Sequence, residues 1–212
     1  MKYIINIIRI LFLTLFIVLL AKGKVLLWLA LFAISLLAAL IFGRIYCGYM
    51  CPMNTLMIPA SWLSKKLKLQ TSNTPKWLKN GYFAWLSFGV SVAGMFLSKA
   101  LLHINLPILP FWLLVSIIIT LRYKPAVFHN LICPFGALQK TFGQLAILSE
   151  KVDKTTCIGC KICEKVCPSN AIFVSLDDDK AIINTALCHQ CKNCVQVCPT
   201  NAIHYKNVKN NN

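Results

Sequence analysis

The first 149 residues of this 212-residue chain contain neither aspartate nor glutamate. Carboxylate acid-base chemistry is thereby excluded from that part of the molecule, where proton acceptors reduce to His103, His129, tyrosines or water. Of these, His103 reads as a solvated loop residue. Charge of either sign is scarce: 13% of residues are charged against 58% hydrophobic, which is not the composition of a soluble globule. The formal net charge of +16 does not indicate nucleic acid. Its excess lies in residues 1–149, which hold 14 Lys and Arg, whereas the remaining 63 residues are nearly balanced with 8 basic and 6 acidic. Such charge flanks membrane segments, favours anionic lipid headgroups and suits an acidic redox partner.

Four apolar segments are present, roughly Ile4 to Ala21, Val25 to Phe42, Tyr82 to Leu102 and Leu106 to Leu121. At about 20 residues per crossing they predict four transmembrane helices, the last one short. The first reads as an uncleaved helix and not a signal peptide, because the next apolar run follows at once with no small-residue cleavage site between them. Basic residues Lys2, Arg44, Lys65, Lys66, Lys68, Lys76, Lys79, Arg122 and Lys124 mark one side, and only Lys22, Lys24 and Lys99 the other. The distribution places both termini in the cytoplasm of a multi-pass inner-membrane protein. Trp77, Trp85 and Trp112 read as interface anchors or packing residues.

Cysteine is the residue present in excess. Eight of eleven fall in two runs, Cys157, Cys160, Cys163, Cys167-Pro168 and Cys188, Cys191, Cys194, Cys198-Pro199, with equivalent cysteines 31 residues apart. This is the ligand spacing of a ferredoxin with two [4Fe-4S] clusters, in which the fourth cysteine of each run ligates the other cluster. Cluster one is assigned to Cys157, Cys160, Cys163 and Cys198, and cluster two to Cys188, Cys191, Cys194 and Cys167. Zinc ribbons lack the third cysteine and the Cys-Pro ending, and disulfide frameworks belong to short secreted chains. Short strands are expected at Ile172 to Val174 and Ala181 to Ile183 around the Asp177 to Asp179 turn.

A second repeat is less obvious. FGRIYCGYMCPMNTLM at 42–57 and VFHNLICPFGALQK at 127–140 align on Cys-Pro, so that Cys51 matches Cys133 and Cys47 falls opposite His129. Each follows a helical hairpin, which predicts two pseudo-repeated halves related by a twofold axis along the membrane normal. Cys47, Cys51, His129 and Cys133 are a candidate third site for a cluster or metal, the alternative being buried cysteines and a backbone-bonded histidine. The stretches after Pro52 (Met57, Trp62, Leu63, Leu67) and after Pro134 (Leu138, Phe142, Leu145, Leu148) predict interfacial helices.

Paired Cys/His-x3-Cys-Pro elements on apolar helices, carried by YCGYMCPMN at 46–54 and ICPFGALQ at 132–139, precede the dicluster runs. Together they resemble the NapH-type membrane ferredoxins over nearly the whole chain. In that family the second element usually begins with cysteine, where this chain has His129. The resemblance implies a quinol-oxidising component that exchanges electrons between the quinone pool and a redox protein partner. The expected architecture is a membrane all-α domain over 1–149, with four transmembrane helices in two pseudo-repeated hairpins. A small α+β two-cluster [4Fe-4S] ferredoxin domain over 150–208 and a disordered tail over 209–212 complete it. The alternatives are a relay subunit fed by a soluble cytoplasmic donor and an assembly factor for a respiratory metalloenzyme.

Overall fold

Among the described residues, three helices are long and apolar enough to cross a membrane: Tyr3–Ala21, Val25–Phe42 and Tyr82–Leu101. They belong to a computed structural model that describes residues 2–71, 74–75, 78, 80–101, 103 and 107–208. Lys76, Trp77, Lys79, the junction around Leu102 and Leu106, and the tail 209–212 lie outside the described residues. The chain forms two compact units, Met1–Cys51 with Gln139–Asn212, and Pro52–Leu138. This division differs from the compositional boundary at 149/150, because the N-terminal hairpin packs with the cysteine-rich part.

In the first unit, α1 (Lys2–Ala21) and α2 (Val25–Phe42) are joined at Gly23, whose positive φ of 68° suits a residue without a Cβ. Aromatic packing closes the hairpin. Trp28 meets Phe16 edge-on, and its indole N–H donates to the Tyr46 hydroxyl at 3.0 Å. After Gln139 the chain leaves α7 (Pro134–Gly143) and enters β1 (Leu148–Val152), which pairs antiparallel with β4 (Ile203–Asn207). Between them come α8 (Ile162–Val166), the hairpin of β2 (Ile172–Val174) and β3 (Ala181–Ile183), and α9 (Asn193–Val197). The core of this α+β part is formed by ligand-type cysteines together with Ile172, Val174, Ala181, Ala202 and Ile203.

The second unit packs α3 (Pro52–Lys66) against α5 (Ile108–Arg122), with α4 (Tyr82–Leu101) and the single turn α6 (Pro125–Val127) beside them. Ser64 donates to the Leu121 carbonyl at 2.5 Å, and Gln70 caps the same helix end through Thr120 and Tyr123. Trp112 is a packing residue, its N–H bonded to Ser91 at 2.9 Å, while Trp85 is half exposed.

Two sequence expectations are corrected here. The amphipathic stretch after Pro134 does not run to Leu148: α7 ends at Gly143, Leu145 is exposed beyond it, and Leu148 begins β1. Gly143 lies so close to Arg44 that a Cβ there would come within 2.8 Å of its Cγ. After Pro52, Met57 is buried while Trp62, Leu63 and Leu67 are exposed, so Met57 is a core residue of the second unit.

Candidate metal centres

Equivalent positions of the two cysteine runs share one backbone. Lys161 and Lys192 enter their helices in the left-handed region at φ 58° and 59°, and Asn170 and Asn201 repeat it at 50° and 51°. Cys167 and Cys198 end the helices with nearly identical dihedrals, φ −76°, ψ 113° and φ −75°, ψ 114°. This extended turn at the fourth cysteine sends it to the opposite repeat. Cys157, Cys160, Cys163 and Cys198 line one cavity, and Cys188, Cys191, Cys194 and Cys167 line another.

The donor sets fit iron-sulfur cubanes. All eleven cysteines are free thiols. Backbone N–H groups are aimed at the sulfurs: Ala181 at Cys157 (3.5 Å), Ala171 at Cys167 (3.2 Å) and Ala202 at Cys198 (3.3 Å). Such bonds are made to thiolates that carry charge. Burial pushes the Cys188 thiol up to about 12 and raises Cys163, Cys191 and Cys194 as well. Buried thiols of that kind stay neutral at pH 7 unless a metal takes the place of the proton. At Cys198 burial also acts upward, but the Ala202 N–H and the Thr200 hydroxyl outweigh it and hold the thiol below its ordinary value.

The cavities differ in their surroundings. Around the first, Cys160 is exposed and Ile158 and Ile162 face solvent. Around the second, the loop 186–191 is pressed onto residues 43–49, which follow the N-terminal hairpin. Arg44, fully buried, donates to the Ala186 carbonyl at 3.3 Å, and the Tyr49 hydroxyl donates to the Gln190 carbonyl at 2.9 Å. Gln190 occupies the left-handed position (φ 55°) that Gly159 fills in the first repeat (φ 67°). Its amide bonds Ser149 at 2.9 Å and accepts from the Glu150 N–H at 3.2 Å, and a Cβ on Gly43 would come within 2.5 Å of its Nε2. Farther along the joint, Tyr205 donates to the Phe42 carbonyl and the Ile147 N–H to that of Leu40.

The two Cys-Pro elements also share a local form. Tyr46–Met50 and Phe128–Ile132 are five-residue π-helical turns, followed by Cys51 at φ −69°, ψ 118° and Cys133 at φ −65°, ψ 119°, each preceding a proline at a helix start. Cys47 and Cys51 are buried in the first unit, and Arg44 Nη2 donates to the Cys47 sulfur at 3.7 Å. His129 and Cys133 are buried in the second, where His129 Nε2 meets Asn54 Oδ1 at 3.2 Å and the Gly136 N–H points at the Cys133 sulfur. With Oδ1 accepting, Nε2 holds the proton and only Nδ1 carries a ligand lone pair. Among the described residues, no three His, Cys, Asp or Glu side chains are gathered as a single metal ion requires. His103 is exposed, in a left-handed conformation.

Four residues of the second cavity's setting went unread in the sequence: Arg9, Gly48, His189 and Gln190. Arg9 carried a signal, a cation inside an apolar run. For Gln190 the signal was its place opposite Gly159 in the duplicated unit.

Comparison with known proteins agrees with these features. The 4Fe-4S binding domain family matches residues 24–70 and 105–154, and the 4Fe-4S dicluster domain family matches 156–202. An uncharacterized protein of Methanocaldococcus jannaschii is 31% identical over 150 residues, 64% of this chain and 55% of its own. The ferredoxin-type protein NapH of Haemophilus influenzae is 29% identical over 153 residues, 67% of this chain and 53% of its own. The methylamine utilization ferredoxin-type protein MauN of Methylobacillus flagellatus is 27% identical over 165 residues, 66% and 53% of the two chains. The chain spans about half the length of these three relatives. No solved structure matches.

Proposed function

Because the chain is a ferredoxin-type iron-sulfur protein of the membrane, homologous to NapH and MauN, we propose that it passes electrons between the quinone pool and a redox protein partner through two [4Fe-4S] clusters. Cys157, Cys160, Cys163 and Cys198 hold one cluster, and Cys188, Cys191, Cys194 and Cys167 the other. When bound, each cluster stores one electron, so the pair can take a quinol's two electrons in succession.

The observation that carries the reading is the polarity of the two cavities. Gly43, Arg44, Gly48 and Tyr49, on the segment that leaves the apolar hairpin, pack against the loop of the second, whereas Cys160 opens the first to solvent. The second set is then the membrane-side station and the first the exit toward a soluble partner. In this reading Ile108–Arg122, 15 residues and about 22 Å long, is the fourth and shortest crossing. The basic flanks put the termini and the dicluster domain in the cytoplasm.

The lack of any carboxylate before Glu150 favours a second reading, in which the chain has no quinol site and relays electrons from a soluble donor. One experiment separates them. The protein is purified anaerobically in detergent, iron and sulfide are counted, and EPR spectra are recorded before and after menaquinol. About eight irons with signals on quinol addition support the first reading. The same iron content, with reduction only by a soluble ferredoxin-type donor, supports the relay, and an iron-free protein rejects both.

A further inference from the structure

Arg9 lies inside an apolar helix, yet only 7% of it is exposed. A buried guanidinium needs a compensating negative charge. No carboxylate occurs in the first 149 residues, and among the described residues the only ion pair is Lys154 with Asp178, on the surface of the dicluster part. Arg9 is directed elsewhere. Its Nε donates to the Gly48 carbonyl at 2.8 Å. Gly48 in turn lies flat against the second cysteine run: a Cβ there would be 2.1 Å from the His189 carbonyl oxygen and 3.6 Å from the Cys191 nitrogen. One glycine therefore separates the guanidinium's anchor from a cysteine of the second cavity.

We propose that Arg9 is the counter-ion of the second cluster, a positioning residue whose fixed charge raises that cluster's reduction potential and leaves the first unaffected. The inference rests on the dicluster reading above. Four thiolates around a cubane give a net negative charge, and accepting one electron adds another. A cation held by a backbone carbonyl on a membrane helix stabilises the added charge without itself reorganising. The first cavity has its own cation, Lys180, whose ammonium donates to the Cys157 carbonyl, and its exposed Cys160 leaves it screened by solvent, so Arg9 serves the second set alone.

The test is a mediator-poised EPR titration of the full-length protein in detergent, comparing wild type, Arg9→Gln and Arg9→Lys. Cys160→Ser identifies which signal belongs to cluster one. In Arg9→Gln the equilibrium constant for adding one electron to cluster two falls at least tenfold, about 59 mV for a one-electron couple, and cluster one does not move. Arg9→Lys, which keeps the charge, stays near wild type. Equal falls in both variants, movement of both clusters together, or no shift at all overturns the proposal. Iron counts cover the case in which a variant does not load. Loss of half the iron in Arg9→Gln but not in Arg9→Lys supports a counter-ion, whereas loss in both assigns Arg9 to packing and overturns it. A wild-type protein without iron would reject the dicluster reading itself, before any variant is compared.

Discussion

Gly48 and the carbonyl of His189 are in direct backbone contact, so close that a Cβ on Gly48 would stand 2.1 Å from the oxygen. Both partners are main chain, so neither can swing aside. Gly48→Ala is expected to destabilise the protein by about 1–3 kcal/mol, in the range of overpacking. Gly89 and Gly94 in α4 are the controls, since a Cβ at either meets nothing within 4 Å. Their alanine variants should match wild type or gain about 0.5–1 kcal/mol. Thermal loss of cluster absorbance in detergent reads all three, and a Gly48→Ala protein as stable as the controls would refute the contact.

Gln190 sets a second comparison. Replacing it with alanine removes two buried side-chain bonds, each worth about 1 kcal/mol, and keeps the left-handed strain. Replacing it with glycine removes the same bonds but releases about 1–2 kcal/mol of that strain. The expected order of stability is wild type, then Gln190→Gly, then Gln190→Ala. If the alanine variant is the more stable of the two, strain at this position is not a factor.

Exposure predicts unequal lability of the two metal sites. Cys160 is exposed, whereas Cys188, Cys191 and Cys194 are buried. An iron chelator should remove about four irons quickly and about four slowly. Cys160→Ala should abolish the fast phase and leave the slow one. A single phase for wild type would contradict the difference between the cavities.

Glu150 links stability to pH. It is 2% exposed, and burial raises its carboxyl above the ordinary 4.5, opposed only in part by Lys192. The folded state therefore holds the proton to higher pH than the unfolded chain does. Its contribution is fully present below 4.5 and is lost as pH rises through the raised value. Unfolding rates measured across that window should increase with pH in wild type and less steeply in Glu150→Gln. Identical slopes would exclude Glu150 as the group responsible.

Part of the local structure was legible in the sequence. β2 and β3 lie at 172–174 and 181–183 because a short β-branched run flanks an Asp turn, and the α8 and α9 turns repeat because their sequences do. What escaped reading depends on distant partners. Leu148–Val152 carries little strand signal until Ile203–Asn207 pairs with it, and that pairing takes the sheet across the expected junction at 150. Gly143, the last residue of α7, lies against Arg44, almost a hundred residues earlier. Arg9 was counted with no partner in view, since its acceptor is a carbonyl that composition cannot reveal.

The exchange of Gly159 for Gln190 breaks the equivalence of a duplicated unit. A chain built from two copies of the first run would keep eight cysteines at the right spacing, but neither loop would carry the amide that grips Ser149 and Glu150. Such a chain would lose the contact that seats its second loop on Ser149 and Glu150, one of the features that tell its two ends apart. One side chain at one left-handed turn thus adds to what gives a duplicated pair of metal sites a front and a back.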